Sequence, residues 1–325
     1  MKPSPPEAIF LIHHGHQDYL RIAASEAKAS GNSVILVGND VVTAQLCDAY
    51  YDDANVLLPE YEAFEREYVH LSSASREFEL LCFKRYFYLL AVARQRDLDH
   101  FWLIDSDAIV LRDLQTVAND FLLPNGYWAG VSTRHQDTMD WASSPHTSFW
   151  TLAGLQDFVE FLLKLYRAET RKLLDQKYQW HLQHQIPGGI CDMTALFLWQ
   201  QQRVDKVYNL SFAHENGLPF FDNNLNEDGN CAKQEFQMVG NVRLKKISFS
   251  GGRYWAHLTN GADPLEVAAL HFQGRAKACI ATFQHRRKIQ YSSYASYAFW
   301  QYCQKRIGSL QRKCRALFDV GHKKP

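Results

Sequence analysis

The chain has 325 residues, 46% hydrophobic and 14% aromatic, which is enough apolar material for a large core and excludes a disordered chain. Lys plus Arg and Asp plus Glu balance at 35 each, so no global basic field points to nucleic acid, and a nucleic-acid partner is rejected. Seven cysteines without Cys-x-x-Cys spacing argue against a zinc knuckle and a full disulfide framework; Cys47, Cys82 and Cys191 read as small buried hydrophobes.

Residues 1–7 are polar and read as a flexible start. Residues 8–12 and 33–37 are predicted buried strands, and the amphipathic stretch 18–30 between them is a helix stopped by Gly31-Asn32. A short helix is predicted over 41–50 with Asp40 as its N-cap, then a third strand over 55–58 ended by Pro59. Residues 75–96 form a long helix whose apolar positions recur at Phe78, Leu81, Cys82, Tyr86, Leu89 and Leu90. A strand at 101–104 follows. This alternation predicts an α/β fold: a mostly parallel central sheet flanked by helices, with ligands at the carboxyl ends of its strands. His13-His14-Gly15, Gly38-Asn39 and Asp105-Ser106-Asp107 all fall at such ends.

Asp105 and Asp107 close the apolar run Phe101-Trp102-Leu103-Ile104. At i and i+2 on an extended backbone their carboxylates project to one side and repel each other unless something cationic lies between them. A divalent metal carrying a phosphorylated ligand is the common solution. Taken alone, an Asp-x-Asp reads equally as a solvated turn or a helix cap.

Further along, 127–133 and 148–152 are predicted strands enclosing a polar loop at 134–147, and 156–185 is one long helical region. Pro187-Gly188-Gly189 turns the chain onto a helix at 192–202, which Asp192 starts as its N-cap or as a carboxylate of the site. Residues 214–230 are polar and turn-rich, and read as a lid over the site or a disordered excursion. Then Ala268-Ala269-Leu270-His271-Phe272-Gln273-Gly274-Arg275-Ala276-Lys277 sets a histidine at a strand end, a glycine three residues on and a lysine three beyond. His271 offers an imidazole nitrogen to a metal, Gly274 lets the backbone approach a phosphate, and Lys277 supplies a point charge. Taken singly, each reads equally as ordinary structure. Residues 291–325 mix Tyr294, Tyr297 and Trp300 with Lys305, Arg306 and Arg312, and read as a basic aromatic helical tail. Such a helix packs on the catalytic domain or makes peripheral contact with anionic lipid. With no signal peptide or spanning segment visible, a cytoplasmic protein is expected, peripheral on the inner membrane face where the tail binds.

The order and wide separation of Asp105-Ser106-Asp107 and His271-x-x-Gly274-x-x-Lys277 resemble the nucleotide-sugar transferases of the GT-A fold. The resemblance is closest to glycosyltransferase family 8, which includes glycogenin and bacterial lipopolysaccharide galactosyltransferases. The run from Ile9 to Tyr19 is also similar to that family's first strand and nucleotide loop. The resemblance implies a single Rossmann-like GT-A catalytic domain over 8–290. It implies transfer of a sugar from a nucleoside diphosphate sugar, a UDP-hexose, to a saccharide, glycolipid or protein acceptor, with retention. The metal is expected on Asp105, Asp107 and His271, and this mixed oxygen–nitrogen set favours Mn²⁺ over Mg²⁺.

Donor contacts are expected from His13, Gly15, Tyr19, Asn39, Arg85, Asp105, Ser106, Gly274 and Lys277. Tyr19 would stack on uracil, unless it is an ordinary core tyrosine. Arg85, in preference to Lys84, would reach the diphosphate; both read equally as surface partners of Glu77 or Glu79. Ser148 falls where the family lines its sugar pocket, or simply starts a strand. Asp192 is expected beside the transferred sugar as the catalytic carboxylate, although the family's Asp-Gln is here Asp192-Met193. Two other functions compete. A haloacid-dehalogenase-type phosphotransferase also places Asp-x-Asp after a strand, but the lone Asp-Asp, Asp52-Asp53, lies upstream rather than downstream. A non-catalytic nucleotide-sugar-binding protein would keep the pocket without turnover.

Overall fold

The computed structural model describes residues 8–134, 139–230, 235–239 and 243–280. The expected flexible start and the basic tail, with the membrane contact read from it, lie outside the described residues. Among the described residues, no helix is long and apolar enough to cross a membrane.

The first half alternates: β1 (Ala8–His13), α1 (Asp18–Ala29), β2 (Ser33–Gly38), α2 (Val41–Ala44), β3 (Ala49–Asp52), α3 (Pro59–Glu67), α4 (Arg76–Gln95) and β4 (His100–Ile104). Then come β5 (Ala108–Val110), α5 (Leu114–Val117), β6 (Ala129–Thr133), β7 (Ser143–Thr151), α6 (Leu152–Leu163), α7 (Ala168–His184), α8 (Asp192–Gln201) and β8 (Val207–Asn209). Short strands follow: β9 (Phe220–Phe221), β10 (Met238–Val239), β11 (Leu244–Lys245), β12 (Ile247–Ser250) and β13 (Arg253–Ala256). The longer β14 (Leu265–His271) ends at the histidine of the second motif.

Seven strands make one sheet in the order β3-β2-β1-β4-β7-β6-β8. Neighbours are parallel except at β7, which runs antiparallel to both β4 and β6. The strands are apolar on both faces because both are covered. Phe10, Val37, Phe101 and Leu103 join Phe64, Phe83 and Phe158 from the helices on one side, while Ile9, Leu36, Trp102 and Ile104 meet Leu20 and Ala24 on the other. Each such Leu, Ile or Phe contributes about 1.5–3 kcal/mol by leaving water. A second sheet, β12-β13-β14-β5 with β9 against β14, packs around Phe220, Phe236, Leu270 and Phe272.

The structure revises several elements. The third strand is Ala49–Asp52, not 55–58. Leu57 is left 85% exposed, and Pro59 opens α3 at its first turn, where its missing N–H has no partner to lose. The helix expected over 41–50 stops after Ala44, although Asp40 does cap it by accepting from the Val42 and Thr43 amides. Strand β7 begins at Ser143, so the later part of the expected loop 134–147 is sheet. The region 156–185 is two helices, α6 and α7, broken around Lys164–Arg167. Asp222, Asn223, Asn224 and Asn230 are buried, so this part of 214–230 packs as an ordered wall behind β14. Cys47, Cys82 and Cys191 are free thiols only partly shielded from solvent, and burial raises all three above the usual thiol pKa, Cys47 to about 11.

Candidate active site

Asp105–Asp107 is the link through which the chain leaves the large sheet at β4 and enters the small one at β5. It is a turn and not extended strand: the Ala108 amide donates to the Asp105 carbonyl at 2.9 Å. The carboxylates therefore converge by turning rather than by the pleat that the spacing suggested. Register does the rest. Strand β14 pairs antiparallel with β5 so that His271 stands opposite Ala108, and the Phe272 amide donates to the Asp107 carbonyl at 2.9 Å. Two motifs far apart in sequence are thereby joined at one point. Asp105, Asp107 and His271 each present a ligand atom within 4.8 Å of the others.

The donor set fits a divalent cation. His271 Nδ1 donates to the Asn223 carbonyl at 2.7 Å, which sets the tautomer and leaves Nε2 facing Asp107 Oδ1 at 3.6 Å. An imidazole lone pair aimed at a carboxylate is favourable only with positive charge between them, whether a proton or a metal ion. Lys277 Nζ lies 2.9 Å from Asp107 Oδ2 and 5.3 Å above the Tyr19 ring.

The charges respond to one another. Burial alone would raise the Asp107 pKa, but the hydrogen bond and charge of His271, with Lys277, hold it well below the ordinary carboxylate range. Burial raises Asp105, and Asp107 adds to this while Arg85 opposes it. His271 is raised despite its burial because Asp107 and Asp105 favour its charged form, and Lys277 is raised by Asp107 in the same way.

Arg85 joins the catalytic candidate to this cluster. Its Nη1 donates to Asp105 Oδ1 at 2.9 Å and its Nη2 to Asp192 Oδ2 at 2.6 Å. Tyr86 Oη also donates to Asp192 Oδ2, at 3.1 Å. Asp192 is buried in the first turn of α8 and is not its N-cap, which is Cys191. The neighbouring Lys84 turns away, its ammonium 5.2 and 5.1 Å over the rings of Tyr61 and Tyr88. Glu79 accepts from Ser72 Oγ instead of pairing with Arg85.

The nucleotide-side candidates also gather at the strand ends. His13 Nδ1 and Ser106 Oγ are 2.9 Å apart, and burial lowers the His13 pKa. The Gly15 amide donates to Asn39 Oδ1 at 2.7 Å. Gly38 lies so close to β1 that a Cβ would fall 1.8 Å from the His13 carbonyl oxygen, so a side chain there would part the strands. Gly274 holds φ +57, and among the described residues no atom lies within 4 Å of where its Cβ would be. Tyr19 carries Lys277 on its face and His13 at its edge, ring centroids 6.1 Å apart. Ser148 is 0% exposed: its hydroxyl donates to the Pro145 carbonyl and accepts from Trp150 Nε1, so it belongs to the sheet interior and lines no sugar pocket.

Two cavities adjoin the cluster. The first, about 330 Å³, is lined by His13, His14, Asp53, Phe78, Arg85 and Asp105 among others. The second, about 280 Å³, is lined by Ser132, Arg134, Ser144, Met193, Asn223 and His271 among others. Sequence reasoning missed Phe78 as a cavity residue, His146 with its ring stacked on His271, and the Lys245–Asp222 pair, 2.7 Å apart and wholly buried, behind β14. It also missed Arg134–Glu227 beside the second cavity. Glycine spacing and strand ends give no signal for any of these, because their partners arrive through sheet register.

No protein-family model matches the chain, and no curated protein matches it. Solved structures do. Mouse xyloside xylosyltransferase 1 is similar with a TM-score of 0.43 and 14% identity, over 64% of this chain and 86% of that one. The bifunctional glycosyltransferase WbbM gives 0.39 and 11%, over 69% of this chain and 41% of that one. An active-site mutant of LgtC gives 0.33 and 14%, over 58% and 68%.

Proposed function

We propose that this chain is a cation-dependent glycosyltransferase that moves a hexose from a UDP-sugar to a saccharide, glycolipid or protein acceptor, with retention at the anomeric carbon. The observation that carries the reading is the meeting of Asp105, Asp107 and His271, with Lys277 against Asp107, where the two sheets join and two cavities adjoin.

Asp105, Asp107 and His271 would hold the cation, Mn²⁺ before Mg²⁺ for this mixed donor set. When bound, such an ion offsets the charge that builds on a departing diphosphate. Lys277 adds a second positive centre on the same side. The first cavity, with Phe78, Leu81 and Tyr88 beside His13 and His14, suits a nucleoside: rings and an aliphatic surface for the base, imidazoles for polar edges. The second is walled by hydroxyl, amide and charged groups, which suit a sugar. To Asp192, which is buried and accepts from Arg85 and Tyr86, we assign the stabilising of positive charge as the anomeric bond breaks. The acceptor hydroxyl would attack the anomeric carbon on the face that the leaving diphosphate vacates, its C–O bond forming as the bond to the diphosphate breaks and its proton passing to a diphosphate oxygen. The phosphotransferase alternative is disfavoured because the Asp-Asp pair it needs downstream of the motif is found only upstream, at Asp52-Asp53.

The test is calorimetric titration of UDP with Mn²⁺ and then with EDTA. Binding that needs the cation and is lost in Asp107→Ala supports the reading, and a donor screen follows. Absence of UDP and GDP binding under either condition overturns it. Turnover giving the inverted anomer by NMR would remove retention alone, and binding without turnover of any donor would favour the non-catalytic alternative.

A further inference from the structure

We propose that His146 of β7, which is outside the donor set, is the positioning residue of the cation site. The inference rests on reading Asp105, Asp107 and His271 as cation ligands.

His146 touches two of these three ligands by different means. Its imidazole lies flat against that of His271, with centroids 4.3 Å apart and 8° between the planes. Its backbone carbonyl accepts the Asp105 amide at 2.8 Å. The ring is itself pinned at both nitrogens, with Nε2 2.9 Å from the Asp222 carbonyl and Nδ1 2.9 Å from Ser144 Oγ. A carbonyl can only accept, so Nε2 carries a hydrogen, and the serine hydroxyl serves Nδ1. His146 is 0% exposed and cannot rotate without breaking both bonds.

The geometry explains why a second contact is needed. The bond from His271 Nδ1 to Asn223 fixes one edge of the ring but leaves rotation about that bond. A fixed plane against its face removes that rotation, so Nε2 keeps its aim at the carboxylates. Asp222 ties the two histidines together, since its carbonyl receives His146 and its Oδ2 receives the His271 amide at 3.1 Å. Ser144 also lines the second cavity, so a contact path runs from that wall through His146 to the ligand ring.

The experiment measures Mn²⁺ binding to the full chain by loss of the free-ion EPR signal, for wild type, His146→Phe and His146→Gln. Phe keeps a flat ring against His271, whereas Gln keeps hydrogen-bonding reach and loses the ring. We expect Phe to stay within about threefold of wild-type affinity and Gln to lose about 10–100-fold, the usual cost of removing an outer support of a metal ligand. A folded His146→Gln protein, by circular dichroism, that binds Mn²⁺ like wild type overturns the brace and leaves the cation reading intact. Wild type that takes up no Mn²⁺ overturns both. If the variants do not fold, the wild type decides through long-range ¹H–¹⁵N spectra recorded with and without diamagnetic Zn²⁺. Retention of the His271 Nδ1 proton in both states is expected, and its loss on adding Zn²⁺, as the ring swings to bind through Nδ1, overturns the proposal.

Discussion

Arg85 lies between two carboxylates from different parts of the chain, and only a guanidinium has the planar fork to serve both. Arg85→Lys keeps the charge and loses one of the two bonds. We expect about 1.5–3 kcal/mol lower stability in urea unfolding, together with weaker cation-dependent UDP binding; unchanged values would show that the fork is dispensable. Lys177 tests burial in a different way. Its ammonium is held by the Asp140 carbonyl at 2.6 Å and Thr194 Oγ1 at 2.7 Å, and burial lowers its pKa below the ordinary lysine value. The unfolded chain then binds more protons than the folded one between the two pKa values, so stability from this group rises with pH through that alkaline window. The difference curve between wild type and Lys177→Met should slope that way, and a flat difference would contradict it. At this scale the sequence marked the residues whose type is itself the chemistry, such as Asp105, Asp107 and His271. It did not mark Lys177, His146 or Lys245, because nothing in the local pattern separates a buried polar side chain from a solvated one.

Continuous apolar runs made β1, β2 and β4 legible, and helical spacing of apolar residues made α4 legible. The segments that escaped are those whose pairing, rather than composition, makes them strands. β3 is Ala49-Tyr50-Tyr51-Asp52, held by its parallel register with β2, and β7 opens on Ser143-Ser144-Pro145-His146, clasped between β4 and β6. The short pieces after β8 follow the same rule. There, Lys245 of β11 reaches Asp222 beyond β9 and also donates to the Asn224 carbonyl at 2.7 Å. Both charges are fully buried, so removing one strands the other. Lys245→Met should cost about 3–5 kcal/mol in urea unfolding, while adding Asp222→Asn should restore much of that loss. Equal losses for single and double variants would mean that the pair does not hold this wall. The same Asp222 supports the His271 amide, so the single variant should also weaken Mn²⁺ binding.

Among the described residues, the seven-stranded and five-stranded sheets meet at the β4–β5 turn, and the proposed cation site lies at that joint. Asp105 and Asp107 belong to the β4–β5 link, while His271 ends β14 and Lys277 lies just past it. A nucleotide and cation bound there would tie the sheets together as well as occupy a cavity. A ligand that binds only the folded state stabilises it by about 2.7 kcal/mol at a hundredfold excess over Kd. UDP with Mn²⁺ should therefore raise Tm, EDTA should reverse the rise, and Asp107→Ala should show none. Hydrogen exchange then locates the effect. If the ligand engages both motifs, protection should grow both at 105–108 and at 271–277, the two segments that the β5–β14 pairing brings together. Protection confined to the first cavity, around His13 and Phe78, would mean that a nucleoside binds without engaging the second motif, and His271 and Lys277 would lose their assigned role.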